Sequence, residues 1–312
     1  MTRVADASLA TLALTSRLVP GSASPLRASE YWDLAERCDL ASLHHADDAE
    51  LAARFGTEFA ARIVALLDRS SALAFALEEL EQQGIATIAA NDDRYPERWL
   101  TWLRASAPPL IHVAGSVDRL QRGGLAIVGS RDLAETAVAV AQRAALAATE
   151  RAMTVVSGGA RGTDSIAMTA ALDAGGESVG VLADALVRAA RSAETRRAIL
   201  DDRLTLVTPY APAAPFSTGN AMGRNKLIYA LADVTFVVAS DLDQGGTWAG
   251  AVEAVGKRYG RVAVWIGDGA GPGNAALVER GATPVRDVAE LFDLPTGSPP
   301  PAPPTQLGLD LE

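Results

Sequence analysis

Residues 125–164 decide the fold, and they read LAIVGSRDLAETAVAVAQRAALAATERAMTVVSGGARGTD. The segment begins with a short apolar run, Leu125–Val128, and a second apolar run follows at Met153–Val156. Between these runs, Ala134–Ala148 has the apolar spacing of a helix. Two short apolar strands joined by a helical crossover predict a parallel pair, because parallel strands need a connection of about a dozen residues or more.

The same alternation continues through the rest of this region. Further strands are predicted at Ser178–Leu182, Leu204–Val207, Val234–Ala239, Val262–Ile266 and Ala282–Val285. Further helices are predicted at Ser165–Ala174, Arg188–Leu200, Gly246–Lys257 and Asn274–Glu279. Continuous apolar strands with helical crossovers indicate a sheet that is covered on both faces. We therefore predict an α/β fold with a Rossmann-like, doubly wound, mainly parallel sheet.

Two other segments flank this region. Residues 1–90 read as a small all-α N-terminal domain, with helices predicted at Tyr31–Arg37, Asp47–Phe55, Glu58–Asp68 and Ser71–Gln83. The Rossmann-like domain covers residues 91–295, and residues 296–312 form a proline-rich tail, which we predict to be flexible. The helical domain reads as a packing or dimerisation appendage. A helix-hairpin DNA binder is the alternative.

The charge distribution bears on that alternative. The chain of 312 residues has a net charge of −10, and residues 1–90 hold seven arginines against thirteen acidic residues. Residues 91–295 hold 21 basic and 23 acidic residues, so this central part is almost neutral and has room for a local basic groove. The acidic N-terminal part is a poor main surface for DNA.

Composition excludes several classes of protein. A single cysteine, Cys38, excludes a disulfide framework, and with only three histidines a zinc or iron–sulfur centre is not expected. No apolar run reaches 18 residues, so no membrane span is predicted. The apolar run Ala7–Leu14 follows Asp6 and does not resemble a signal peptide. We expect a cytoplasmic protein with no metal and no cofactor.

Three polar loops are expected at the carboxyl edge of the parallel strands, where such sheets bind ligands. One loop is Gly129-Ser130-Arg131, and a second, glycine-rich loop contains Ser157, Gly158, Gly159, Arg161 and Gly162. A third segment, Gly223-Arg224-Asn225-Lys226, is predicted to open a helix. Backbone N–H groups at helix starts, together with cations, bind anions. We predict one anion site, although each loop alone could be a turn without a ligand.

An ordered series of motifs resembles the DNA processing protein A family, also called DprA or Smf, over about residues 90–290. The series contains Tyr95-Pro96, Ala107-Pro108-Pro109-Leu110, residues 126–131, residues 157–164, Phe216, residues 224–228, Gly273-Asn274 and Gly281-Ala282. The resemblance implies single-stranded DNA binding without sequence preference, transfer of that DNA to a RecA-type recombinase, and a homodimer. It also implies that Arg131, the 157–162 loop, Arg224 and Lys226 face the strand.

The chain departs from the family pattern at Asp243-Gln244-Gly245, where the family has Arg-Ser-Gly. We include Gly245, Gly246 and Thr247 in the predicted nucleic-acid or anion site. Because some DprA-like proteins accompany toxins, an antitoxin or antiphage role with a toxin partner is the alternative that this divergent sequence leaves open.

An enzyme is the second class of function. Gly245-Gly246-Thr247 with Glu253 loosely resembles a run in lysine-decarboxylase-like phosphoribohydrolases, which would make Glu253 a catalytic carboxylate. A base–nucleophile pair is not evident, so we expect a binding protein without catalytic residues. Tyr210, Phe216 and Trp248 are candidates for stacking on bases, or else they cover the edge of the core.

The tail carries a separate motif. Gln306, Leu307, Leu309 and Leu311 resemble the peptides by which bacterial repair proteins dock on the replicative sliding clamp. The alternatives are a chance apolar ending and a tail that folds back on its own domain.

Overall fold

A nine-stranded sheet organises the chain in a computed structural model, which describes residues 6–295. The strands are β1 (Ile85–Ala89), β2 (Leu110–Ala114), β3 (Leu125–Val128), β4 (Val155–Ser157), β5 (Ser178–Val181), β6 (Leu204–Thr208), β7 (Val234–Val237), β8 (Arg261–Trp265) and β9 (Thr283–Val285). Their spatial order is β1-β2-β6-β5-β4-β3-β7-β8-β9. Tail residues Gln306, Leu307, Leu309 and Leu311 lie outside the described part.

The seven strands β3–β9 are parallel, which confirms the doubly wound, mainly parallel sheet. The chain runs outward from β3 through β4, β5 and β6 on one side, and through β7, β8 and β9 on the other. The direction of winding therefore reverses between β3 and β7. In this class of fold, ligands bind outside the strand ends at such a switch point.

An antiparallel hairpin extends one side of the sheet, and the sequence patterns did not predict it. Strand β2 pairs antiparallel with β6, and β1 pairs antiparallel with β2 in the register Thr87↔His112. The sheet therefore begins at Ile85, before residue 91, from which the second domain was counted. The Thr87 hydroxyl and His112 Nδ1 lie 2.9 Å apart and join the two strands through their side chains.

Eight α-helices accompany the sheet in residues 85–295. They are α6 (Glu97–Leu103), α7 (Glu135–Glu150), α8 (Thr163–Asp173), α9 (Leu186–Ala190), α10 (Ala193–Leu200), α11 (Thr218–Leu231), α12 (Gly245–Lys257) and α13 (Asn274–Glu279). The helix predicted over Arg188–Leu200 is two helices, because Ser192 caps the second by accepting a hydrogen bond from the Thr195 amide.

The prediction that Gly223-Arg224-Asn225-Lys226 opens a helix was wrong. Helix α11 begins at Thr218, and the Ser217 hydroxyl caps it by accepting a hydrogen bond from the Asn220 amide. Residues 223–226 therefore lie inside the helix. The helix accommodates Gly223, the residue that was expected to open it.

Residues 6–82 form a helical module, consisting of α1 (Asp6–Thr15), α2 (Ala28–Arg37), α3 (Asp48–Phe55), α4 (Thr57–Leu67) and α5 (Ser70–Gln82). The first helix was not predicted. The module packs on the edge hairpin, where Leu12 forms a small core with Ala89 and Leu110. The Trp32 indole donates a hydrogen bond to the Ala107 carbonyl at 2.8 Å. The module is thus joined to the sheet by both apolar and polar contacts.

The parallel sheet has a hydrophobic core on each face. One core is rich in fully buried alanines of α7 and α8, which let these helices approach the strands closely. Within residues 6–295, no helix is long and apolar enough to cross a membrane. The described residues also contain no cluster of three His, Cys, Asp or Glu side chains that could hold a metal ion.

Candidate nucleic-acid interface

A polar cavity with a volume of about 760 Å³ lies at the switch point of the sheet. We name it the switch-point crevice. Its walls are the loops after β3 and β7, the glycine-rich loop after β4, one face of α11 and the start of α12. Nine of the predicted site residues line it, namely Gly129, Ser130, Arg131, Arg161, Arg224, Asn225, Gly245, Gly246 and Thr247.

The loop after β3 is held rigidly by Ser130. Its amide donates a hydrogen bond to the Ala239 carbonyl at 2.9 Å, and its hydroxyl donates to the same oxygen at 3.3 Å. The Thr163 hydroxyl in turn donates to the Ser130 carbonyl at 3.0 Å. Ser130 thus ties the loop to its neighbours and leaves the exposed Arg131 side chain to face solvent at the crevice.

The glycine-rich loop, where Ser157, Gly158, Gly159 and Gly162 were predicted to belong to the site, bonds to a carboxylate of the protein itself. These four residues do not line the crevice. Ser157 is buried and donates its hydroxyl to the Ile127 carbonyl at 2.7 Å. The Asp164 carboxylate accepts a hydrogen bond from the Ala160 amide at 3.4 Å. The loop amides therefore stabilise a carboxylate of the protein itself.

Gly158 and Gly162 are required for close approach. A methyl group on Gly158 would overlap the Arg224 guanidinium, and one on Gly162 would overlap the Arg131 backbone. Gly162 also has a φ of +88°, a conformation that other residues rarely adopt. These glycines let Arg224 and the Arg131 backbone approach closely, but they do not line the crevice themselves.

A buried pair of charges forms the floor of the crevice. Asp164 Oδ2 lies 3.9 Å from Arg224 Nη1, and Arg224 is only 5% exposed. Burial raises the pKa of Asp164 above its ordinary value, while the Arg224 charge and the loop amides oppose this shift. Arg224 Nε and the nearby Tyr229 hydroxyl have no hydrogen-bond partner among the described residues. Both residues belong to the lining of the crevice, and these two atoms lie buried beneath its surface.

The side chains of Asn225 and Lys226 lie on different sides of α11. The Asn225 side chain lines the crevice and donates a hydrogen bond to the Gly246 carbonyl at 3.0 Å, which links α11 to the start of α12. Lys226 lies on the other side of α11 and donates to the Ser106 carbonyl at 2.7 Å. Lys226 therefore does not line the crevice with Arg224, because the directions of side chains two residues apart on a helix differ by about 200°.

The start of α12 faces the crevice. Gly245 has a φ of +84°, and no side chain caps the first turn of this helix. Uncapped amides and the helix dipole favour a negative ligand at Gly245, Gly246 and Thr247. Asp241 and Asp243 line the same rim and oppose that attraction.

The crevice is almost neutral because its cations are matched by acids. Arg161 pairs with Asp132 at 2.9 Å, and Arg224 lies beside Asp164. Counting the lining side chains gives three arginines and four aspartates. Only the Arg131 guanidinium has no carboxylate partner among these residues; it lies over the Phe216 ring, 5.8 Å from its centroid.

The three candidate aromatic residues differ in exposure. Phe216 is 53% exposed and lines the crevice next to Arg131. Trp248 also lines it but is 8% exposed and packs under Arg280. The Tyr210 hydroxyl donates to the Asn220 carbonyl at 2.8 Å, outside the crevice. Phe216 alone of the three is free to stack on a planar ligand.

Two features of the site escaped sequence reasoning. Asp164 stood inside the quoted glycine-rich motif but was not assigned to the site, and Tyr229 was not considered. The Arg-Asn-Lys motif could have indicated Tyr229, which lies one helical turn beyond Asn225. Glu253, the candidate catalytic carboxylate, does not line the crevice and pairs with Lys257 at 2.8 Å.

These features define a doubly wound α/β protein with a polar crevice at its switch point. The chain belongs to the DNA recombination-mediator protein A family, whose sequence model matches residues 86–294. The resemblance to DprA and Smf proteins is thereby confirmed.

Comparisons with known proteins agree with this assignment. Protein Smf of Escherichia coli is 28% identical over 218 residues, covering 69% of this chain and 58% of that protein. A Mycobacterium tuberculosis relative that bears the name DNA processing protein DprA is 31% identical over 221 residues, covering 66% and 56%. The chain thus matches little more than half the length of these relatives.

Solved structures show the same fold. DNA processing protein A of Streptococcus pneumoniae superposes with a TM-score of 0.64 at 20% identity, covering 88% of this chain and 99% of that one. A structure of the Helicobacter pylori DNA processing protein A, determined in work on its single-stranded DNA binding mode, gives a TM-score of 0.55 at 20% identity, covering 67% and 94%.

Proposed function

We propose that the switch-point crevice binds single-stranded DNA without sequence preference. The observation that carries the proposal is the exposed Phe216 ring beside the Arg131 guanidinium at the mouth of the crevice. An aromatic ring stacks on any base, because every base has a π-face, and an arginine supplies the cation for the adjacent phosphate. Family membership and the Helicobacter pylori relative agree with this ligand.

The proposed role is binding and not catalysis. The two predicted serines both donate their hydroxyls to backbone carbonyls, Ser130 to Ala239 and Ser157 to Ile127. Neither is paired with a general base, which an activated nucleophile requires. The phosphoribohydrolase alternative loses its support because Glu253 is tied to Lys257 away from the crevice.

The partners follow from the family resemblance and are part of the proposal. A protein that coats single-stranded DNA can pass it to a RecA-type recombinase, and a homodimer would bring two crevices together on one strand. A toxin partner is the alternative. A pull-down of this protein with a purified RecA-type recombinase, and separately with a purified toxin, discriminates between the two partners. Each pull-down is carried out in the presence and absence of an oligonucleotide.

The stacking role of Phe216 gives the sharpest test of the DNA proposal. Replacing Phe216 with alanine should weaken the binding of a fluorescent oligonucleotide about tenfold, since a base–aromatic stack contributes about 1–3 kcal/mol. The loss should be similar for oligo-dT and for mixed sequences, as measured by fluorescence anisotropy at low salt.

The matched control is Phe75→Ala, because Phe75 is 71% exposed but lies on α5 of the helical module. This variant should bind like the wild type. Equal affinities for wild type, Phe216→Ala and Phe75→Ala would show that the crevice is not the binding site.

A further inference from the structure

A second, smaller groove lies where the helical module meets the sheet domain. Its volume is about 260 Å³, and its cations come from three separate segments, with Arg17 after α1, Arg27 before α2, and Lys226 on α11. We name it the junction groove. Tyr210 and Pro209, which follow β6, complete one wall.

The junction groove differs from the crevice in its charge. None of its lining residues is acidic, whereas four aspartates line the crevice. Arg17 is exposed and makes no ion pair or side-chain hydrogen bond with any residue in the range 6–295. The groove therefore offers uncompensated positive charge, as a phosphate site requires.

The other two cations are only partly engaged. Arg27 pairs with Glu30 at 3.3 Å, but Glu30 is shared with Arg62, which lies 3.0 Å from the same oxygen. Lys226 gives one of its three hydrogen atoms to the Ser106 carbonyl. Glu253 acts on Lys226 electrostatically but is itself bound to Lys257. Each cation therefore keeps donors for a ligand.

Helix α11 separates the two binding surfaces. Arg224, Asn225 and Ile228 face the crevice, whereas Gly223, Lys226 and Leu227 face the junction groove. A helix is about 10 Å across with its side chains, so a strand of a few nucleotides can contact both sides. Gly223 lets the Tyr210 hydroxyl pack closely against α11, because a Cβ at position 223 would lie 2.8 Å from that oxygen.

We propose that the junction groove binds backbone phosphates of the single strand whose bases enter the switch-point crevice. The inference rests on the proposed function and assigns base contacts to the crevice and phosphate contacts to the groove. The crevice holds bases through Phe216 and contributes little net charge. The groove adds salt-dependent phosphate contacts to the one that Arg131 supplies, which gives the helical module a direct role in holding DNA.

The test is the salt dependence of oligo-dT binding, because each phosphate contact on a single strand contributes about 0.7 to the slope of log affinity against log salt. The variant Arg17→Gln with Lys226→Met removes two charges and keeps the length of the Lys226 side chain. Its slope should be flatter than that of the wild type by about 1.4. The single variant Arg17→Gln alters only an exposed residue and should flatten the slope by about half as much.

The matched control replaces two exposed arginines of other helices, Arg143→Gln with Arg196→Gln, and changes the net charge equally. Its slope should equal that of the wild type. If the groove and control variants have the same slope while Phe216→Ala still weakens binding, the junction-groove proposal is wrong and the crevice stands.

Two further outcomes would also decide the question. A wild-type protein that binds no oligonucleotide at low salt would overturn both proposals together. Inorganic phosphate that binds the wild type but not the groove variant, with unchanged oligonucleotide affinity in that variant, would show a phosphate site that the strand does not use.

Discussion

The Asp164–Arg224 pair shows how one buried contact decides what a motif can do. In sequence, the glycine-rich loop and the nearby charges resemble a ligand site. In the structure, the Asp164–Arg224 pair holds the loop after β4 against α11. A buried ion pair contributes little net stability relative to apolar residues, yet removal of one partner is costly because the other charge stays buried. Arg224 is therefore a structural residue at the floor of the crevice.

Replacing Arg224 with methionine should destabilise the protein by about 3–5 kcal/mol, because it leaves the Asp164 carboxylate buried without its cation. Urea unfolding measures this loss. Adding Asp164→Asn to Arg224→Met should recover part of it. Arg131→Met makes the same chemical change at an exposed crevice arginine and should leave stability within about 0.5 kcal/mol. Equal midpoints for Arg224→Met and Arg131→Met would contradict a structural role for Arg224.

At the scale of residues, the sequence predicted which residue types gather at the carboxyl edge of the sheet, but not the direction in which each side chain points. Arg131 and Phe216 are where the motifs placed them. Lys226 is not, because its orientation depends on the start of α11, and Ser217 sets that start seven residues before Arg224. The sequence also did not predict that the Asp164 carboxylate, four residues beyond Ala160, accepts the hydrogen bond of the Ala160 amide.

At the scale of elements, the edge hairpin β1–β2 carries a buried histidine. His112 is paired across the strands with Thr87, and burial lowers the pKa of His112 from 6.5 to about 4. The hairpin also receives the helical module through Leu12 and Trp32. A charge on His112 would therefore disturb the joint between the two parts of the molecule.

The low pKa of His112 predicts how stability depends on pH. Between pH 6.5 and 4 the unfolded chain binds a proton that the folded protein refuses, so stability falls as the pH is lowered through this window. This shift in pKa lowers the free energy of unfolding by up to about 3 kcal/mol at pH 4. Above pH 6.5 the shift has no effect on stability.

Melting temperatures measured from pH 7 to 4 test this window with His112→Gln and a control. The His112→Gln protein should be less stable at pH 7 and should lose less stability on acidification than the wild type. His44→Gln alters an exposed histidine and should follow the wild-type curve. A wild-type curve that is flat from pH 6.5 to 4 would contradict the buried neutral histidine.

The strands that the sequence predicted are those with continuous apolar runs, from β3 to β9. The boundaries of β3 match the prediction, and those of the other six strands shifted by one or two residues, for example Val155–Ser157 in place of Met153–Val156. The hairpin was missed because Ile85–Ala89 and Leu110–Ala114 include the polar residues Thr87 and His112, which pair with each other only in the folded sheet. Helix α1 was missed because its apolar run was weighed only as a signal peptide.

At the scale of the whole molecule, the net charge of −10 is unevenly distributed over the surface. The crevice balances its arginines with aspartates, while the groove at the junction of module and sheet has cations only. A protein of this charge binds a polyanion through local features and not through its overall field. The helical module, although acidic overall, therefore supplies Arg17 and Arg27 where α1 and α2 meet the sheet domain.

The most direct test of the account is to locate the DNA on the protein by photocrosslinking. An oligo-dT strand that carries 5-iodouracil, a base that crosslinks to aromatic rings stacked on it, is irradiated with the full chain, and crosslinked peptides are identified by mass spectrometry. The account predicts that the main crosslink is at Phe216 and disappears in Phe216→Ala. Crosslinks confined to Phe75 or other aromatic residues outside the crevice, unchanged in Phe216→Ala, would contradict it.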